Sequence, residues 1–155
     1  ETIGKEGIEV PRDAVFSGFS EISRLTGLRG RWEILGNNPL VVCDTAHNIE
    51  GLSQVVDQIL QTPWKNLQIV GGIVDDKDPE DLLGLLPVNA SYYITQAGIP
   101  RAMDRFSLFE KMGSMGFEGA VYDDPVSALE AAREQSERED MIFIGGSTFV
   151  VADIL

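Results

Sequence analysis

The sequence of 155 residues has one cysteine, one histidine, and 12 basic side chains against 25 acidic ones. Each scarcity excludes something. Cys43 has no intrachain partner, so there is no internal disulfide framework, and its place in an apolar run marks it as interior rather than reactive. With His47 as the sole histidine, no His/Cys set has the spacing of a zinc site. The net charge of -13 is not offset by any basic block, which opposes binding to nucleic-acid phosphates and to anionic membranes. No run of about 18 apolar residues and no basic segment leading into an apolar core occurs, so neither a membrane span nor a secretion signal is predicted, and a cytoplasmic location is expected. The spaced glycines of a dinucleotide turn are missing, as is a Gly-rich loop ending in Gly-Lys-Ser or Gly-Lys-Thr. If the chain handles ATP, another domain must hold much of the triphosphate.

What is present is alternation. Apolar runs at 40–43, 67–70, 91–95, 119–122 and 141–144 have the length of strands, and helical periodicity falls between them. Ile49, Leu52, Val55, Val56, Ile59 and Leu60 announce one helix. Asp124-Pro125 opens another, with Val126, Leu129 and Ala132 on one face and Glu130, Glu134 and Glu137 on a solvated one. Parallel strands need crossover helices, so the pattern predicts an α/β, Rossmann-like three-layer domain with a mostly parallel sheet. Ahead of it, Val15, Phe16, Phe19, Ile22 and Leu25 share one helical face that ends at Gly27, as an entry element. The first residue is Glu1, and the chain is expected to be a fragment of a longer protein.

The polar groups cluster where strands end. Val41-Val42-Cys43 runs into Asp44-Thr45-Ala46-His47-Asn48, a strand-to-helix loop and hence a site position, where Asp44 can also serve as a helix cap and His47 as an ordinary loop residue. Gly71-Gly72 and then Asp75-Asp76-Lys77-Asp78 form a second such loop. Its acids suit magnesium or a solvated turn in which Asp78 caps a helix. Lys77 either balances charge or neutralises a substrate carboxylate or a transferring phosphate. Arg31, after Gly30, can reach a phosphate bidentately if the chain turns over a neighbouring nucleotide domain. Arg101, after Pro100, is expected in a structural ion pair. Gly145-Gly146-Ser147-Thr148-Phe149 offers small residues and hydroxyls for a close approach to ligand, or simply a turn.

Taken in order, Gly30-Arg31-Trp32-Glu33, Asp44-Thr45-Ala46-His47-Asn48, Asp76-Lys77-Asp78, Pro100-Arg101-Ala102 and Gly145-Gly146-Ser147 make the sequence resemble the C-terminal domain of the Mur ligase superfamily, in its folylpolyglutamate synthase/dihydrofolate synthase branch. Residues 1–29 resemble the linker and terminal helix of a preceding ATPase domain, and residues 30–155 the C-terminal domain itself. The resemblance implies an ATP-dependent amide ligase that activates a carboxylate as an acyl phosphate and joins glutamate to folate or dihydropteroate. It implies that Arg31, Asp44 and His47 contact ATP, that Lys77 orients glutamate or the acyl phosphate, and that Ser147 lines the cleft. ATP and Mg2+ would be held mainly by the missing N-terminal/central domain of the same polypeptide, so the isolated chain is expected to be inactive. Ile49 stands where the family often has proline, and Thr45 where the folate branch often has glycine. The alternatives are a ligase of peptidoglycan precursors and a noncatalytic nucleotide-binding or protein-interaction domain. The Asp-Lys-Asp loop favours folate.

Overall fold

A computed structural model describes Gly7 and residues 10–75 and 79–155. The entry segment forms two short helices, α1 (Arg12–Ser20) and α2 (Ile22–Thr26), where one continuous helix was expected. Glu21 interrupts them, and Gly27, at φ 70°, closes α2 in the left-handed conformation that a residue without Cβ adopts at little cost. Neither helix buries a residue. Phe16 and Phe19 remain 69% and 71% exposed.

A hairpin follows: β1 (Glu33–Asn37) runs antiparallel to β2 (Leu40–Cys43), with a cis Asn38–Pro39 peptide in the turn. The strand β1 lies at the sheet edge, with an irregular register between Ile34 and Gly36. Its weak alternation is the reason it does not stand out in the sequence. The remaining elements are α3 (Ile49–Gln61), β3 (Leu67–Gly71), α4 (Glu80–Leu83), β4 (Ser91–Ile94), α5 (Arg105–Ser114), β5 (Glu118–Val121), α6 (Pro125–Gln135), β6 (Met141–Gly145) and α7 (Thr148–Ala152). The strand order is β1-β2-β6-β3-β4-β5, and every pair except β1 with β2 is parallel. This is the expected α/β three-layer arrangement.

Both faces of the sheet are covered. Val42, Ile69, Tyr92 and Phe143 face a layer containing Val55 and Ile59 of α3 and Leu108 and Met112 of α5. Val41, Val70, Tyr93 and Ile144 face Ala128, Leu129 and Ala132 of α6 and Val150 and Val151 of α7. The central strand β6 has Met141, Ile142, Phe143 and Ile144 at 2% exposure or less. Each such side chain contributes about 1.5–3 kcal/mol of burial. On the predicted apolar faces of α3 and α6, three positions turn out to be exposed: Ile49, Leu60 and Val126. In α6 the buried face runs through Pro125, Ala128, Leu129 and Ala132, and that stripe leaves Val126 outside.

The two rims of the sheet differ in character. Near the amino end of β6, buried Asp140 accepts hydrogen bonds from the Asn66 backbone N–H at 3.0 Å, the Asn66 amide at 2.9 Å and the Glu137 N–H at 2.7 Å. That carboxylate is fully committed to the fold. At the carboxyl end the strand tips crowd together: a Cβ on Gly72 would lie 2.3 Å from the Thr95 carbonyl oxygen, so only glycine fits there. Among the described residues no helix is long and apolar enough to cross a membrane.

Candidate functional site

The carboxyl rim brings together segments far apart in sequence. Cys43 of β2 lies beside Ile144 of β6, and the Asp44 N–H donates to the Ile144 carbonyl at 3.0 Å. Asp44 is only 8% exposed. One of its oxygens accepts from the Trp32 N–H at 2.7 Å and the other from the Ala46 N–H at 2.8 Å, both charge-assisted bonds. The capping alternative for Asp44 is therefore corrected: Asn48 caps α3, accepting from the Gly51 N–H at 2.8 Å. Asp44 instead latches the Gly30-Arg31-Trp32 turn onto the end of β2. That turn needs a latch, because Trp32 has φ 43°, a left-handed backbone unfavourable for a residue with a Cβ. The Trp32 ring packs on Phe143 with centroids 6.4 Å apart, and the Gly30 N–H donates to Glu33 at 2.7 Å while Arg29 bonds the other Glu33 oxygen at 2.6 Å.

Held this way, Arg31 donates from its guanidinium to the Thr45 hydroxyl. His47 places Nδ1 3.0 Å from the Thr45 carbonyl oxygen. A carbonyl only accepts, so Nδ1 carries the proton in this contact, and Nε2 of the neutral ring is left as an acceptor. Arg31, Asp44, His47, Gln54 and Gln58 line a cleft of about 310 Å³. His47 also lines a smaller space of about 50 Å³ whose other walls include Gly72, Leu82, Phe143 and Gly145. One side chain thus faces a polar cleft and an apolar one.

The other sequence candidates are placed less uniformly. Ser147 is buried, and its hydroxyl accepts from the Phe149 N–H at 3.2 Å as the N-cap of α7. It lies in the turn after β6, next to the Asp44 loop, and Thr148 Oγ1 donates to the Thr45 carbonyl at 3.4 Å. Lys77, with Asp76 and Asp78, lies outside the described residues. Arg101 holds its guanidinium 5.2 Å from the centroid of the Phe149 ring, a cation–π contact. Burial, and next the nearby Glu33 charge, push the Cys43 thiol up from 9.0 to about 11. A thiol so protected is interior packing, not a nucleophile.

The family described as "Mur ligase, glutamate ligase domain" matches residues 30–148. The chain belongs to this family. A probable bifunctional folylpolyglutamate synthase/dihydropteroate synthase of Haloferax volcanii is 35% identical over 129 residues, covering 80% of this chain and 15% of that protein. The dihydrofolate synthase/folylpolyglutamate synthase of Escherichia coli is 28% identical over 152 residues, covering 96% of this chain and 34% of that protein. Among solved structures, Escherichia coli FolC in complex with DHPP and ADP superposes with a TM-score of 0.81 at 26% identity, over 96% of this chain and 34% of that one. Mycobacterium tuberculosis folylpolyglutamate synthase complexed with ADP and AMPPCP gives a TM-score of 0.77 at 28% identity, over 94% and 34% of the two chains. This Mur ligase domain therefore spans about a third or less of the relatives it matches.

In this Mur ligase domain the cleft offers the Arg31 guanidinium, the His47 imidazole, the Asp44 carboxylate and the amides of Asn48, Gln54 and Gln58. These groups can recognise phosphate, sugar hydroxyls and a heterocycle edge. No group of three or more His, Cys, Asp or Glu side chains that could hold a metal occurs among the described residues. The sequence reasoning passed over Gln54 and Gln58, which line the cleft, and Thr45, whose hydroxyl meets Arg31. A signal for the glutamines was present: Gly51, Gln54, Val55 and Gln58 are spaced as one face of α3, the face that starts beside His47.

Proposed function

We propose that this chain is the C-terminal half-site of an ATP-dependent ligase that joins glutamate to folate or dihydropteroate through an acyl phosphate. The observation that carries the proposal is the cleft at the carboxyl rim, where Arg31 and His47 converge on one polar space of about 310 Å³ in a chain of the Mur ligase family. The similarity to the folate-branch relatives narrows the substrate class. In this proposal residues 1–29 belong with the preceding ATPase domain, and residues 30–155 close over its nucleotide. Arg31 neutralises phosphate charge, His47 accepts from the nucleoside through Nε2, and Asp44, in the lining of the cleft, supports both by fixing the turn. Lys77 orients glutamate or the activated carboxylate. Ser147 fixes the adjoining wall of the cleft.

The chemistry such a half-site supplies is positional. Amide ligation needs the activated carboxylate kept from water and the amine held in line with it, which a closing domain provides. ATP would be bound across the domain junction. In this proposal the magnesium ion that accompanies it is held mainly by the central domain.

The test compares this chain alone with the full-length polypeptide that carries it. Each is supplied with ATP, magnesium, glutamate and either folate or dihydropteroate, and amide product and ADP are measured. Ligation is expected only from the full-length protein. Robust ligation by the isolated chain would overturn the half-site reading. Success on a cell-wall precursor with failure on folates would reassign the substrate class, and no ADP release with either would point to a noncatalytic domain.

A further inference from the structure

We propose that Thr45 is a positioning residue for Arg31: its hydroxyl receives the guanidinium and holds that cation toward the cleft lined by His47, Gln54 and Gln58. The inference rests on the nucleotide-facing role of Arg31 proposed above. It assigns Thr45 no contact with nucleotide.

The argument begins with mobility. Arg31 is an exposed arginine, and such a side chain samples many rotamers that an anion must freeze when it binds. An acceptor already in place removes part of that loss. Thr45 is well suited to be that acceptor because the rest of it is immobile. It is buried at 8% exposure, and its N–H donates to the Gly30 carbonyl at 2.9 Å. Its carbonyl accepts from His47 Nδ1 at 3.0 Å and from Thr148 Oγ1 at 3.4 Å. Its methyl group covers Gly30 so closely that a Cβ there would lie 2.8 Å from Thr45 Cγ2. The residue therefore grips Gly30 on one side of Arg31, while the Asp44–Trp32 bond at 2.7 Å grips the other. Backbone fixed at both neighbours and guanidinium fixed at its tip leave Arg31 little freedom. Of these contacts, only the last depends on the hydroxyl.

That dependence makes the role separable from packing. Valine matches threonine in shape, keeps the backbone bonds to Gly30 and His47, and removes the acceptor. In the full-length polypeptide, KM for ATP and kcat are measured for the wild type, Thr45→Val, Thr45→Ser, Arg31→Ala and the Arg31→Ala/Thr45→Val double variant, with melting curves for each. Thr45→Val is expected to raise KM for ATP about five- to tenfold with kcat within about twofold, and Thr45→Ser to restore KM to within about twofold of wild type. Arg31→Ala is expected to raise KM further, with Thr45→Val adding nothing in its background. If Thr45→Val does not fold, Thr45→Ala is compared with Thr45→Ser in its place. A raised KM in Arg31→Ala with a wild-type KM in the folded Thr45 variant overturns the positioning role, and so does full additivity of the two substitutions. An unchanged KM in Arg31→Ala overturns the nucleotide-facing role of Arg31 itself, a distinct failure.

Discussion

Asp44 holds two backbone amides with one carboxylate, and the consequences of its loss differ from those at His47 three residues on. Asp44→Ala leaves the Trp32 and Ala46 N–H groups without partners and releases a left-handed Trp32, so it is expected to cost the isolated domain about 3 kcal/mol. Asp44→Asn keeps one acceptor oxygen and turns an NH2 group toward the other amide, with a cost of comparable sign and smaller size. His47→Ala removes an exposed ring and is expected to change stability by less than about 0.5 kcal/mol while weakening ATP use by the full-length protein. Urea denaturation of the three variants checks the first part, and an unchanged midpoint for Asp44→Ala would sink the latch. A second residue-scale prediction concerns Cys43. Its thiol is pushed up from 9.0 to about 11 chiefly by burial, so above pH 9 the unfolded chain gives up a proton that the folded chain retains. The stability from the neutral buried thiol is present below pH 9 and is lost as pH rises toward 11, by about 3 kcal/mol in all. Urea midpoints at pH 8 and pH 10.5, compared between wild type and Cys43→Ala, isolate this loss, because the alanine variant lacks it.

At the scale of elements, helix starts show how far local chemistry reaches. Asp124 caps α6 by accepting from the Ser127 N–H at 2.9 Å, Ser127 returns a bond to the Asp124 N–H at 3.3 Å, and proline fills the next position. Asp124→Ala is expected to cost about 1 kcal/mol, read as a melting temperature lower by about 3 °C. An unshifted melting curve would mean that packing of Ala128, Leu129 and Ala132 alone sets the start of the helix. This helix was legible because its cap, its proline and its apolar spacing agree. The parallel strands β2, β3, β4 and β6 were legible for a similar reason, being short apolar runs buried on both faces, whereas β5 was legible from its short run at 119–122 although it lies largely exposed at the sheet edge. The edge strand β1 was not, because its pairing comes from the hairpin with β2 rather than from alternation of its own. The site followed the same division. Strand-end position marked Asp44 and His47 as rim residues, but which group each would bond depends on the turn at Gly30-Arg31-Trp32 folding back across 12 residues, which no local pattern encodes. Hence Asn48 took the cap that had been the alternative role for Asp44, and Thr45 emerged as the partner of Arg31.

At the scale of the whole molecule, the sheet with its helices is covered on both faces, whereas α1 and α2 bury nothing. Val15, Phe16, Phe19 and Leu25 share the apolar periodicity of a helix that packs, yet each stays exposed, Phe16 and Phe19 by 69% and 71%. Exposed apolar side chains at this spacing suit a covering partner, and in the proposed ligase that partner is the ATPase domain with which residues 1–29 are proposed to belong. The prediction follows from where the contacts lie. In the isolated chain, Phe16→Ser/Phe19→Ser removes no core contact, so the melting temperature is expected to stay within about 2 °C of wild type, and solubility should rise because less apolar surface meets water. In the full-length polypeptide the same pair of substitutions would expose the docking face of the preceding domain and replace two buried rings by hydroxyls, a loss of about 3 kcal/mol or more. Thermal melts of both proteins, wild type and double variant, decide between the outcomes. A large drop in the isolated chain would place this helix in the core of the C-terminal domain, and no drop in the full-length protein would leave the stripe facing solvent there too, either of which would remove residues 1–29 from the ATPase domain.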